Sequence, residues 1–175
     1  MRKSFLLAAL LTATLTSFGQ KKNDILKEID DYIVKTVSTA TYDKNYSDVW
    51  SAIYVVATEE CNTIVRESES KGYIEAKTEL ELTKRNLTIE IKGDKAPYRV
   101  SFQVKNEYRI KNPDNTYTNW SNNVVSPKYI NKLQLRVYEL INGAIVLPAD
   151  LQNKIDNYNK LQTKDRLKIV KGKDY

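Results

Sequence analysis

The chain has 175 residues, with 28 lysines and arginines against 22 aspartates and glutamates, one cysteine and no histidine. The missing histidine excludes histidine triads, histidine-ligated zinc and the usual near-neutral general base. The lone Cys61 excludes an internal disulfide and cysteine-cluster metal sites; at the end of an apolar helix face it reads as a small buried hydrophobe.

Residues 1–19 read as a secretory signal: Arg2 and Lys3, an apolar run from Phe5, then Ser17 and Gly19 at the −3 and −1 positions of a cleavage site. The run is shorter than the roughly 20 apolar residues of a membrane span, and threonines interrupt it. No cysteine follows it to carry a lipid anchor, and no later segment is apolar enough to cross a bilayer. The expected product is exported, periplasmic or secreted from a Gram-negative-type bacterium, with no transmembrane segment.

Residues 20–163 have the size of a single α+β domain. Ile25, Leu26, Ile29, Ile33 and Val37 share one helical face, which predicts a helix over 24–34. The Thr-, Val- and Tyr-rich stretch 36–42 predicts a strand. Val49, Ala52, Ile53, Val56, Ala57 and Cys61 recur at helical steps behind Ser47 as N-cap. Trp50 and Tyr54 share a flank of that helix, which suits packing on a sheet better than a ligand platform.

Strands follow. "TIVRES" is the first, and "ESESKGYIE" is a hairpin turn in which Gly72 supplies a positive φ. Ile74, Ala76, Thr78, Leu80 and Leu82 alternate inward, then Leu87, Ile89 and Ile91. The next inward set is Tyr98, Val100, Phe102, Val104, Tyr108 and Ile110; Asn106 interrupts it and suggests a bulge or a bend. Asn112–Asn115 suits a β-turn with Pro113 second, and "TYTNW" a short returning strand. Ser126 and Pro127 open a helix that Gly143 closes, with Ile130, Leu133, Val137, Leu140, Ile141 and Ala144 at helical spacing. Leu151, Ile155, Tyr158 and Leu161 mark a last helix. Residues 164–175 form a basic tail, read as a solvated end whose alternative use is weak contact with an anionic surface. No nucleic-acid partner is expected.

No dinucleotide fingerprint, phosphate loop, nucleophile elbow or EF-hand pattern is present. Asp114, Asn115 and Thr116 read as turn residues rather than cation ligands. The carboxylate sets Glu59/Glu60, Glu67/Glu69 and Glu75/Glu79/Glu81 are the candidates for acid–base work, and for the strand glutamates a charged outer sheet face accounts for them. No catalytic residue, metal ligand or cofactor is assigned.

"NYSDVWSAIYVVATEECNTIVRESESKGYIEAKTELEL" and "IKGDKAPYRVSFQVKN" resemble, over about residues 36–121, a family of secreted bacterial proteins described as a domain of unknown function with a TATA-binding-protein-like fold. They are similar, less closely, to the helix-grip domains of the envelope lipoprotein BamC. The resemblance implies a helix packed on a curved antiparallel sheet, here with an N-terminal helix and two C-terminal helices. It implies no activity. The expected function is a non-enzymatic binding or assembly module of the cell envelope with a protein partner, met at a surface that includes Tyr117 and Trp120. The alternatives are a carboxylate-dependent hydrolase on glycan or peptide, and a small-ligand or lipid carrier.

Overall fold

The computed structural model describes residues 21–161. The stretches expected to be a signal segment and a basic tail lie outside the described residues. The fold is α+β, four helices with one five-stranded antiparallel sheet in the order β1-β2-β3-β4-β5. The described residues divide into two compact units, one of those up to Lys35 with those from Val146 onward, the other Thr36–Ile145.

The smaller unit holds α4 (Ala149–Leu161) and most of helix α1 (residues 21–38), whose last three residues belong to the larger unit. Ile29, Leu151, Ile155 and Tyr158 form the core of the smaller unit. Lys154 pairs with Glu28 across the two helices. The strand expected over 36–42 is absent: α1 continues through residue 38, and Tyr42 makes only an isolated bridge with Tyr98. Val37 extends the four-residue step of Ile29 and Ile33 and is buried. Burial of that face outweighs a β preference of a few tenths of a kcal/mol per residue.

In the larger unit, helix α2 (Tyr46–Glu60) buries Val49, Ala52, Ile53, Val56 and Ala57. Its cap lies two residues ahead of the expected Ser47. Asn45 holds the capping position, and its carbonyl accepts from the amides of Asp48 (3.1 Å) and Val49 (3.3 Å). Cys61, extended and buried, ends the helix. Trp50 packs partly buried against the core, whereas Tyr54 beside it is exposed.

The sheet runs β1 (Thr63–Ser68), β2 (Tyr73–Glu79), β3 (Thr83–Lys92), β4 (Arg99–Tyr108) and β5 (Ser121–Asn123). Between β1 and β2, one turn of 3-10 helix (Glu69–Lys71) leads to Gly72 at φ 61°, the hairpin and positive φ that the sequence pattern calls for. Alternation puts Ile74, Ala76, Leu87, Ile89 and Ile91 under α2. Glutamates 75, 79 and 90 stand in the other alternation series.

Three expectations about the sheet are corrected. Leu80, Leu82, Tyr108 and Ile110 are exposed rather than inward, because β2 stops at Glu79 and β4 at Tyr108, past the buried rows. Asn106 makes no bulge, since β3 and β4 pair without interruption from Thr83↔Tyr108 to Lys92↔Arg99. The irregularity lies in β1, between Ile64 and Arg66. The returning strand is Ser121–Asn123, just beyond the expected "TYTNW", where Tyr117 only bridges Lys111.

Helix α3 (Pro127–Asn142) has Ser126 at its N-cap position and Gly143 at its end. Leu133 and Val137 are buried, whereas Leu140 and Ala144 are exposed. Arg136 clamps Glu59 of α2 with two hydrogen bonds (2.9 and 2.7 Å), and Lys132 reaches Glu60 (2.7 Å). Among the described residues no helix is long and apolar enough to cross a membrane.

Candidate functional site

The strand registers align a polar row on the helix side of the sheet. Thr78 of β2 pairs with Arg85 of β3, Arg85 with Asn106 of β4, and Asn106 with Asn123 of β5. The Asn62 amide extends the row by donating to Thr78 Oγ1 at 3.1 Å. This row lies immediately beyond the apolar row Ala76–Leu87–Val104. Residues two apart on a strand share a face, so the polar groups occupy positions that would be core if α2 reached over them. A cavity of about 390 Å³ opens there instead, with Leu80 and Tyr108 on its exposed rim.

Arg85 organises this cavity. Its Nε donates to Asn106 Oδ1 (3.2 Å) and its Nη1 to the Tyr129 hydroxyl (3.0 Å). The guanidinium also lies 4.4 Å from the Tyr129 ring centroid. Tyr129 in turn donates to Glu60 Oε2 at 2.8 Å, while Lys132 holds the other carboxylate oxygen. Arg85 stands 3.8 Å from Glu60. Burial is the largest influence on the Glu60 carboxyl and opposes ionisation; the bonds from Lys132 and Tyr129, with the Arg85 charge, overcome it and lower its pKa. Burial first, then the bond to Glu60, raises the Tyr129 hydroxyl well above its ordinary value. Burial likewise raises the Cys61 thiol, which fits a packed side chain rather than a nucleophile. An ionised Glu60 and a protonated Tyr129 are set for hydrogen bonding and charge, not for proton donation by a carboxylic acid.

A second cluster sits just past this row. The Arg109 amide donates to the Leu82 carbonyl (3.0 Å) and its Nε to the Glu81 carbonyl (2.8 Å). Thus held, its guanidinium lies 4.3 Å from the Tyr117 ring centroid and 4.6 Å from that of Trp120. The Tyr117 hydroxyl donates to Glu81 Oε1 at 2.5 Å, and Lys111 approaches the same oxygen at 3.4 Å. Those two bonds, Tyr117 first, lower the Glu81 pKa. Both residues singled out in the sequence, Tyr117 and Trp120, therefore meet on one arginine. Around them Leu80, Leu82, Tyr108 and Ile110 are exposed.

The other candidates are dispersed. Glu59 and Glu60 are neighbours but bind different cations of α3. Glu69 belongs to the hairpin turn, where its carbonyl accepts from Tyr46. Asp114 caps its own turn, accepting from the Thr116 amide at 3.0 Å, and Asn115 there has φ 65°. Sequence reasoning missed Arg85, Asn106, Tyr129 and Arg109, while Glu81 was among its candidate carboxylates. Two of them left a signal: Asn106 breaks the inward series of β4, and Arg85 stands two positions before Leu87 in the inward series of β3.

Comparison with protein-family models, with curated proteins and with solved structures finds no significant match.

Proposed function

We propose that this is an exported cell-envelope protein acting as a non-enzymatic binding or assembly module, and that the Tyr117–Trp120 rim is where a protein partner docks. The observation that carries the reading is the Arg109 guanidinium held at both rings amid exposed apolar side chains. Aromatic residues and arginine are enriched at interface cores and hot spots. Tying Arg109 to the Glu81 carbonyl removes part of the ordering cost that binding would otherwise carry. The charge state of the neighbouring cavity favours the same reading over hydrolysis. The carboxyls that line it, Glu60 and Glu107, are both shifted down by their lysine partners, whereas a general acid needs an upward shift.

The test is site-specific photo-cross-linking at position 117 in envelope fractions. A discrete adduct that disappears in the Arg109→Ala/Trp120→Ala variant, and persists in a Val65→Ala control, supports the reading. No adduct at position 117, or one indifferent to the double variant, overturns the rim as a docking surface. Fractionation of the full-length chain tests export: retention in the cytoplasm with an uncleaved N-terminus overturns that part.

A further inference from the structure

The pairing of β4 leaves a gap in the fifth strand position. Tyr42 and Tyr98 exchange two backbone hydrogen bonds (2.8 and 3.0 Å) on the side of β4 away from β3. Asn106 and Tyr108 pair with β5 on that same side. Alternation then directs the N–H and C=O groups of Val100, Phe102 and Val104 toward this side too. No described strand lies there, and no hydrogen bond to another described residue engages these groups. Tyr98 to Asn106 spans roughly 27 Å at about 3.4 Å per residue, room for a strand facing residues 99–105.

The edge on the opposite side of the sheet is defended: a bulge breaks the register of β1 between Ile64 and Arg66, a device that blocks strand addition. The β4 gap has no such break, since its register with β3 is unbroken. At one end of the gap Val124, the residue after β5, is 90 % exposed. We propose that this gap receives an extended peptide from a partner protein, acidic at its two ends and apolar at alternate positions between, a site separate from the Tyr117–Trp120 rim.

The side chains flanking the gap set that chemistry. Val100, Phe102 and Val104 are half-buried on the helix side and call for apolar cross-strand neighbours. Ser101 and Gln103 call for polar ones on the outer side. Arg99 and Lys105 stand on the outer side at the two ends; Arg99 has no ion pair among the described residues, and Lys105 meets only Glu107 of its own strand (2.9 Å). A second copy of the chain fits worse. Antiparallel self-pairing centred on Phe102 would set Arg99 of each copy opposite Lys105 of the other, and like charges directly opposite are destabilising. Acidic ends on the incoming strand turn the same two contacts into attractions.

The probe is a fluorescein-labelled, end-blocked heptapeptide, Asp-Val-Thr-Val-Thr-Val-Glu, titrated by anisotropy against the full chain, with hydrogen exchange read at the amides of 100, 102 and 104. Saturable binding with protection of those amides is expected. N-methylation of the central valine, or Val104→Pro, which removes an edge-facing N–H without removing a bond to β3, weakens binding about fivefold or more. Replacing the acidic ends by lysine abolishes it. Unprotected amides at millimolar peptide, or equal binding by the lysine-ended peptide, overturns the proposal. So does sedimentation showing that the chain alone dimerises with those amides protected, which would give the edge to a second copy. The Arg109→Ala/Trp120→Ala variant keeps full peptide binding; loss there would overturn the edge as a separate site, while the cross-linking result at position 117 stands or falls by itself.

Discussion

At one end of β3, Ile91 lies under Gly72, whose φ of 61° brings its backbone so close that an added Cβ would stand 2.9 Å from Ile91 Cβ and from the Tyr46 hydroxyl. Tyr46 and Tyr98 meet edge to face there, and Tyr42 is buried beside them. At the other end Arg85 lies in the open polar row between Thr78 and Asn106. Both ends are built by the same strands with the same alternation. What differs is cover. A helix of 15 residues, like α2, is roughly 22 Å long, whereas ten strand residues, as in β3, extend roughly 34 Å. One helix leaves part of the inward face open, and the uncovered part carries the cavity and the rim.

If cover is the difference, truncation should separate the ends sharply. Leu87→Ala, at a side chain with no exposure, is expected to cost about 3 kcal/mol in urea unfolding, from lost burial and the cavity left behind. Leu80→Ala, 58 % exposed at the other end, should change stability by no more than about 0.5 kcal/mol. Equal costs would show that the rim is covered in solution and would remove the contrast.

Gly72→Ala comes next, at about 2 kcal/mol: the left-handed backbone disfavours a Cβ by roughly 1–2 kcal/mol, and the Ile91 contact gives little way. A loss near zero would mean that the hairpin shifts freely, so that the covered end is not tightly packed.

Arg85→Ala tests the polar row. It strips hydrogen bonds from Asn106 and Tyr129, an expected loss of about 1–2 kcal/mol. The Glu60 carboxyl, deprived of a nearby cation, should titrate higher by NMR. Arg85→Lys should not restore stability, since an ammonium lacks the planar fork that serves both partners. Full rescue by lysine would reduce the row to simple charge.

How much of this the sequence displayed follows from the same cover argument. Period-two alternation revealed the inward faces of β2 to β4, and the charged partner positions revealed the outer face, because both patterns are local. The length of strand lying under α2 is a tertiary quantity. Leu80, Leu82, Tyr108 and Ile110 continue the inward series in the sequence, yet they are exposed. Val37 shows the converse: a β-branched stretch reads as strand until burial carries the helix through it. Tyr117 and Trp120 stood out as aromatics near a turn, but Arg109, which joins them, sits in a strand-like run where nothing local sets it apart.

The last effect is a pH dependence, flat at neutral pH and visible only at the extremes, where the two ends should respond on opposite limbs. Burial, then the nearby Tyr138, pushes the Tyr42 hydroxyl up to about 12 from its ordinary 10.0. Above pH 10 the unfolded chain gives up this proton before the folded chain does, so stability falls as pH rises from about 10 to about 12. Glu60 is shifted the other way, below its ordinary 4.5. Its contribution is intact above that value and is lost as pH falls through the lower folded value, where the unfolded chain has already taken up its proton. Tyr42→Phe should therefore flatten the alkaline limb of an unfolding profile and leave the acid limb alone, whereas Glu60→Gln should flatten the acid limb and, by removing the bond that helps raise the Tyr129 hydroxyl, also ease the alkaline one. Tyr129 is also raised, as are Tyr46, Tyr73, Tyr117 and Tyr158, so alkaline slope remains in Tyr42→Phe and should shrink further when Tyr129→Phe is added. A Tyr42→Phe profile that matches the parent between pH 10 and 12 would mean that water reaches this hydroxyl, and that the two ends of the sheet are less unlike than their packing shows.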